Sequence, residues 1–247
     1  MISKTFKNLC LAAVSMSLIL ASTSATAQRK TKDATDWTEQ STSALKFREL
    51  GPATTSGRIA DIAVNPKNTA EMYLAMASSG VWKTTNNGTT WEPIFDNEGS
   101  YSTGCVTIDP SNSNTIWVGS GENNNQRSAP YGDGVYVSHD GGKSWANVGL
   151  KNSEHIGMIV VDPRNSKHVY VAAYGPLWSA GGDRGVYETR NGGETWNQVL
   201  SVSEHTGFNE IHMDPRNPEV LYATAHQRRR HVFTYLSGGP ESGLYKS

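Results

Sequence analysis

Ser138-His139-Asp140-Gly141-Gly142-Lys143-Ser144-Trp145 decides how this chain is read, because the pattern recurs. Thr84-Thr85-Asn86-Asn87-Gly88-Thr89-Thr90-Trp91 precedes it and Thr189-Arg190-Asn191-Gly192-Gly193-Glu194-Thr195-Trp196 follows it. All three fit [ST]-x-[DN]-x-G-x-[ST]-W. A short polar side chain at Asn86, Asp140 or Asn191 can accept hydrogen bonds from amides of its own turn, and the glycine after it supplies the positive φ that closes the turn. The hydroxyl of Thr90, Ser144 or Thr195 can brace the same loop. Trp91, Trp145 and Trp196 then have a large apolar face to bury against neighbouring strands. These residues are read as structural, and their acidic look is not a sign of catalysis.

A second marker interleaves with the first: Val64-Asn65-Pro66, Ile108-Asp109-Pro110, Val161-Asp162-Pro163 and Met213-Asp214-Pro215. An aromatic strand pattern follows each, for example Ile116-Trp117-Val118 and Val169-Tyr170-Val171, and Gly-Val-aromatic pieces at Gly80, Gly134 and Gly185 lead into the boxes. Each unit reads as strand, D/N-P turn, strand, variable loop, strand, D-x-G turn, strand, with a period of roughly 50 residues. Four short strands with that turn chemistry make one propeller blade. The expected fold is all-β: a β-propeller of four-stranded antiparallel blades, about four of them in an incomplete ring, with blades near 57–95, 104–150, 157–200 and 207–247. Leu45–Leu50 resembles the fourth strands and is expected to close the ring. The last residues, Gly243-Leu244-Tyr245-Lys246-Ser247, match a third strand and the first box position, so the blade at 207–247 is expected to be truncated.

The first 27 residues read as a secretory signal peptide, with Lys4 and Lys7, an apolar run from Leu9 to Leu20 and a cleavage site after Ala27. The apolar run is too short for a transmembrane helix, which needs roughly 20 residues. Residues 28–44 read as a disordered polar leader. The mature chain is therefore expected to be secreted or periplasmic, with no transmembrane segment. Cys10 leaves with the signal, so Cys105 is the one remaining thiol, expected to be buried and inert, and no internal disulfide can form. The chain has 22 basic and 23 acidic residues. With Lys4 and Lys7 gone the balance is more acidic still, and no basic stripe for nucleic acid appears.

Strand direction alternates within a blade, so the D/N-P turns and the boxes must share one end, and the variable loops and blade-to-blade links the other. Binding residues favour loops on a rigid scaffold, which makes this second rim the expected site. Its candidates for ligand contact are Arg58, Glu122, Arg127, Glu154, His155, Trp178, Glu204, His205, His226 and Arg229. Glu154, Glu204, Glu122 and Asp183 are the candidate carboxylates should the protein be an enzyme, and Asp133 and Glu210 are further members of any such pair. The paired links Glu154-His155 and Glu204-His205 either contact ligand or merely hydrogen-bond the adjoining loops. Their two histidines match no local metal-ligand spacing, and no metal or cofactor is expected. The Arg228-Arg229-Arg230 run reads as a solvated or carboxylate-paired loop before it reads as an anion site.

These repeats resemble the BNR or Asp-box propellers, most closely the sortilin-like group of bacterial exported proteins often labelled glycosyl hydrolase, over residues from about 45 to 247. The likeness implies the fold strongly and the activity weakly, since such blades serve receptors, hydrolases and assembly factors alike. In xyloglucanases of this build a catalytic Asp stands just ahead of the G-x-[YW] strand of the first blade; here that place is held by Ala77, which can move no proton. Sialidases carry an R-I-P signature, of which Gly57-Arg58-Ile59-Ala60-Asp61 is a partial echo. The function expected from the resemblance is binding of a peptide, protein or glycan through the loop rim. The alternative is a BNR-type glycoside hydrolase acting on an extracellular polysaccharide, which requires two carboxylates roughly 5 to 9.5 Å apart.

Overall fold

The computed structural model describes residues 57–124 and 129–247. The signal peptide, the leader, the closing strand at 45–50 and Arg127 lie outside the described residues. Four antiparallel sheets follow one another along the chain, each of four strands. The first holds β1 (Ile59–Val64), β2 (Met72–Met76), β3 (Gly80–Thr84) and β4 (Glu92–Pro93), and the second β5 (Thr103–Ile108), β6 (Ile116–Ser120), β7 (Val135–Ser138) and β8 (Ala146–Gly149). The third holds β9 (Ile156–Val161), β10 (Val169–Ala173), β11 (Gly185–Thr189) and β12 (Asn197–Leu200), and the fourth β13 (Thr206–Asp214), β14 (Asn217–Arg230), β15 (Tyr235–Ser237) and β16 (Gly243–Lys246). The first three sheets pair their strands in sequence order, and the first strands β1, β5, β9 and β13 pack against one another in series.

The turn chemistry performs as its residue types require. In the middle box Asp140 Oδ1 accepts from Lys143 N at 3.0 Å and Ser144 N at 2.9 Å, while the Ser144 hydroxyl donates to Oδ2 at 2.6 Å. These bonds hold the Asp140 carboxyl well below the usual carboxylate range. Asn86 and Asn191 do the same work as amides: each Oδ1 accepts the amide of Thr90 or Thr195, and each Nδ2 donates to that residue's hydroxyl. The D/N-P turns close on Asn65, Asp109, Asp162 and Asp214, whose Oδ1 atoms accept the amides of Lys67, Ser111, Arg164 and Arg216. Box and D/N-P turn meet directly, through Asn87 N to Ala70 O, Gly141 N to Asn114 O and Gly192 N to Lys167 O, all within 3.0 Å. Both turn sets therefore occupy one rim.

The core lies between sheets. Tyr73, Ala75, Val81 and Phe95 of the first blade pack on Val106, Ile108, Ile116, Val118 and Tyr136 of the second. Trp117, Val135 and Leu150 pack on Ile156, Ile159, Val169 and Val171 in the next layer, with Cys105 buried among them and its thiol pushed up by that burial. Ala172 and Val186 meet Phe208, Ile211, Ala223 and Ala225 in the last. The box tryptophans lock these layers from the turn rim. Trp145 Nε1 donates to Ile94 O of the preceding blade at 2.8 Å and Trp196 Nε1 to Val148 O at 2.7 Å. Their rings meet Phe95 and Trp117 edge-on, with centroids 5.2 and 6.4 Å apart. Both indoles remain half-buried, so they act as inter-blade staples more than as core residues.

Each first strand carries a bulge near its start, at Ala60, Gly104, Gly157 and Asn209. A Cβ at Gly104 would collide with the carbonyls of Ile156 and Gly121, and one at Gly157 with the Asn209 backbone. Glycine is what lets successive first strands approach this closely. One expectation is corrected in the fourth blade. The Arg228-Arg229-Arg230 run is not a loop: β14 continues to Arg230 and folds back through a turn closed by His231 N to Thr234 O, 2.9 Å, so that Arg228, Arg229 and Arg230 pair with Ser237, Leu236 and Tyr235. The run alternates with period two, Arg228 and Arg230 buried and Arg229 half-buried, as strand residues do.

Candidate ligand-binding rim

At the end opposite the boxes, the loop after β6 is built around Glu122, which is fully buried. Arg58 grips it side-on, Nε to Oε1 at 2.8 Å and Nη2 to Oε2 at 2.6 Å, and Asn124 Nδ2 donates to Oε1 as well. The Ser102 hydroxyl accepts Glu122 N at 2.9 Å. His155 Nδ1 meets Glu122 O at 2.8 Å, which fixes the proton on Nδ1. Burial, reinforced by the charge of Arg228, pushes His155 down to about 3, so the ring is neutral and serves as a donor. Glu154 precedes it with a positive φ of 57°, which a non-glycine residue adopts only under constraint. The constraint is visible: Gly132 N donates to Glu154 O at 2.7 Å, tying the link between second and third blades to the loop after β6.

A basic quarter of the rim adjoins this loop. Arg228 is fully buried, its guanidinium stacked 3.4 Å from the centroid of Tyr174, with Nη1 donating to Asn124 O at 3.1 Å. Arg230 stacks on Tyr235 at 3.6 Å, and its amide donates to Leu177 O at 3.0 Å. Arg184, also buried, spends its donors on carbonyls of the 174–184 loop: Tyr174 O at 2.9 Å, Ser179 O at 2.8 Å, Gly181 O at 2.9 Å and Pro176 O. Burial, then the neighbouring charges of Arg228 and Arg229, lowers Arg184 to about 10. The Tyr174 hydroxyl and His226 Nδ1 are bonded to each other, and burial followed by the Arg228 charge lowers His226. Trp178 in the same loop is 53% exposed, and Tyr131 in the loop after β6 is 73% exposed.

The candidates therefore separate. Arg58, Glu122, Glu154 and His155 come together as a brace between the first three blades, with Glu122 and His155 beneath the rim surface. His226, Arg229 and Trp178 join Arg184 and Arg228 in the basic quarter. Asp183 is tied to the link by Asn152 N at 2.9 Å. The two Glu-His links are not equivalent: Glu204 and His205 are both exposed, 3.6 Å apart. In the arginine run Arg228 and Arg230 are buried and stack on Tyr174 and Tyr235, Arg229 is half-buried, and none of the three pairs with a described carboxylate. Ala77 is buried and donates its amide to Arg58 O at 2.9 Å. Sequence reading did not single out Arg184 and Tyr174, whose roles depend on a loop folding back on itself. It also missed Glu98, whose carboxyl is raised by burial and then by Asp133. Inward of the rim, a cavity of about 300 Å³ between the first strands is lined by Asp61, Asn123, Asn209, Glu210 and His212.

Four successive four-stranded antiparallel sheets whose first strands pack in series give the chain a β-propeller fold. Residues 133–239 match the model of the family described as sortilin, neurotensin receptor 3. Over 156 residues the chain is 27% identical to the oligoxyloglucan-reducing end-specific xyloglucanase of Emericella nidulans, an alignment covering 56% of this chain and 17% of that protein. Among solved structures it resembles an ancestral GH74 enzyme (TM-score 0.57, 22% identity, 77% of this chain and 24% of the other). It also resembles the GH74 xyloglucanase of Xanthomonas campestris (TM-score 0.54, 20% identity, 75% and 28%). The chain thus spans about a sixth to under a third of these proteins' lengths, and the structural likeness is one of fold.

Proposed function

We propose that the chain is an exported propeller module that binds a glycan through the loop rim. The observation that carries this reading is the pairing of exposed aromatic faces, Tyr131 and Trp178, with a rim held rigid beneath them by buried hydrogen bonds. Flat aromatic faces on a preorganised loop suit the apolar faces of sugar rings, and rigidity limits the entropy lost on binding. The relatives named as xyloglucanases support a carbohydrate ligand. Binding is favoured over hydrolysis because Glu122 is buried and consumed by Arg58 and Asn124, and Ala77 stands where the resemblance calls for an acid.

The test is affinity electrophoresis of the full chain against a polysaccharide panel that includes xyloglucan, run beside a peptide array and an assay for released reducing ends. Retardation by at least one glycan without reducing-end release is expected, with Trp178→Ala plus Tyr131→Ala weakening it roughly tenfold or more, as hot-spot aromatics do. Reducing-end release would replace this reading with the hydrolase one. Capture of peptides with no glycan retardation would replace it with a peptide receptor.

A further inference from the structure

Arg184, Arg228, Arg229 and Arg230 gather on one quarter of the rim, yet none forms an ion pair with a described carboxylate. The two acidic groups nearby offset them only in part. Glu122 is already gripped by Arg58 through both oxygens, and Glu154 reaches Arg184 and Arg228 only as a distant charge. The donors tell the same story. On Arg228, Nη1 is used by a carbonyl, but Nε and Nη2 have no partner among the described residues although both are buried. Nε and Nη1 of Arg229 and Nε of Arg230 are likewise without partners. Nε and Nη2 form the side-on edge of a guanidinium, the edge that fits a carboxylate with two parallel bonds, and Arg58 uses it in that way on Glu122 in this same molecule.

Leaving buried charge and donors unmatched is costly, and groups so left in a native protein call for an explanation. The positive field is felt by three neighbours: His155, His226 and Arg184 are each pushed down by burial and then by Arg228. Within a chain that has slightly more acidic than basic residues, this concentration of positive charge is local. It adjoins an exposed aromatic: Trp178 follows Leu177, whose carbonyl holds the Arg230 amide, and precedes Ser179, whose carbonyl holds Arg184.

Building on the glycan reading above, we infer that the ligand is an acidic polysaccharide, whose uronate carboxylate is held at Arg229 while a sugar ring lies on Trp178. Arg229, half-buried, makes the direct contact. The buried Arg184 and Arg228 nearby supply attraction that water screens poorly.

The experiment is titration calorimetry of the full chain with polygalacturonate, with its carboxyl-reduced neutral counterpart and with poly-glutamate, at low and at physiological salt. Polygalacturonate is expected to bind roughly tenfold or more tightly than the reduced polymer, a loss in keeping with a charge-assisted hydrogen bond. Arg229→Gln is expected to abolish that preference while leaving the thermal midpoint in place; Arg229→Lys should retain part of it. Equal binding of the acidic and reduced polymers would overturn the inference and leave the glycan reading standing. Poly-glutamate binding as tightly as polygalacturonate would also overturn it, showing a charged surface with no selection for sugar. An Arg229→Gln variant that keeps the preference would remove the cluster from the site. Failure of all glycans to bind would remove the glycan reading itself.

Discussion

His155 shows how one side chain can be chosen for its neutral state. It is buried and donates to Glu122 O, and its lowered affinity for protons means that the folded protein declines a proton that the unfolded chain accepts. The folded value is depressed, so this contribution to stability is whole above the unfolded value near 6.5 and is lost as pH falls toward about 3, at up to about 1.4 kcal/mol per pH unit. Urea midpoints should therefore fall between pH 7 and pH 5, and His155→Asn, which can still donate to the carbonyl, should flatten that fall. A midpoint equally steep in the variant would assign the pH dependence elsewhere. Asp140, Asn86 and Asn191 were legible as turn-formers from the sequence because their partners lie within four residues, where spacing alone brings atoms together. Arg58 and Glu122 are 64 residues apart, and the sequence holds nothing that joins them.

The elements with a short repeat were the readable ones. Turn residues bracket the blade strands, and β-branched and aromatic residues recur within them. The hairpin of β14 and β15 escaped, since three consecutive arginines look like loop unless the stacking rings of Tyr174 and Tyr235 are known to flank them. The box tryptophan is an element-level device: it fastens the last strand of one blade to the box of the next. Trp196→Phe deletes the bond to Val148 O and should cost about 1 kcal/mol. Trp196→Ala also removes the contact with Trp117 and should cost about 2–4 kcal/mol, somewhat less than a fully buried indole because this one is half-buried. Chemical denaturation of both variants checks the order; equal losses would mean that the ring contributes nothing beyond its hydrogen bond.

At the scale of the molecule, alternating strand direction divides the propeller into a rim of invariant turn chemistry and a rim of diverse loops. That division could be derived from the sequence, whereas the separation of the loop rim into a brace and a basic quarter could not, because it depends on loops meeting across blades. No helix among the described residues is long and apolar enough to cross a membrane. Ligand binding belongs to the loop rim on this account, and tryptophans report on both rims: Trp178 on one, and Trp91, Trp145 and Trp196 on the other. Hydroxyl-radical oxidation of the full chain, read by mass spectrometry with and without xyloglucan or polygalacturonate, tests the division directly. The account predicts protection of Trp178 and unchanged oxidation of the three box tryptophans; protection of the box tryptophans with Trp178 unchanged would contradict it.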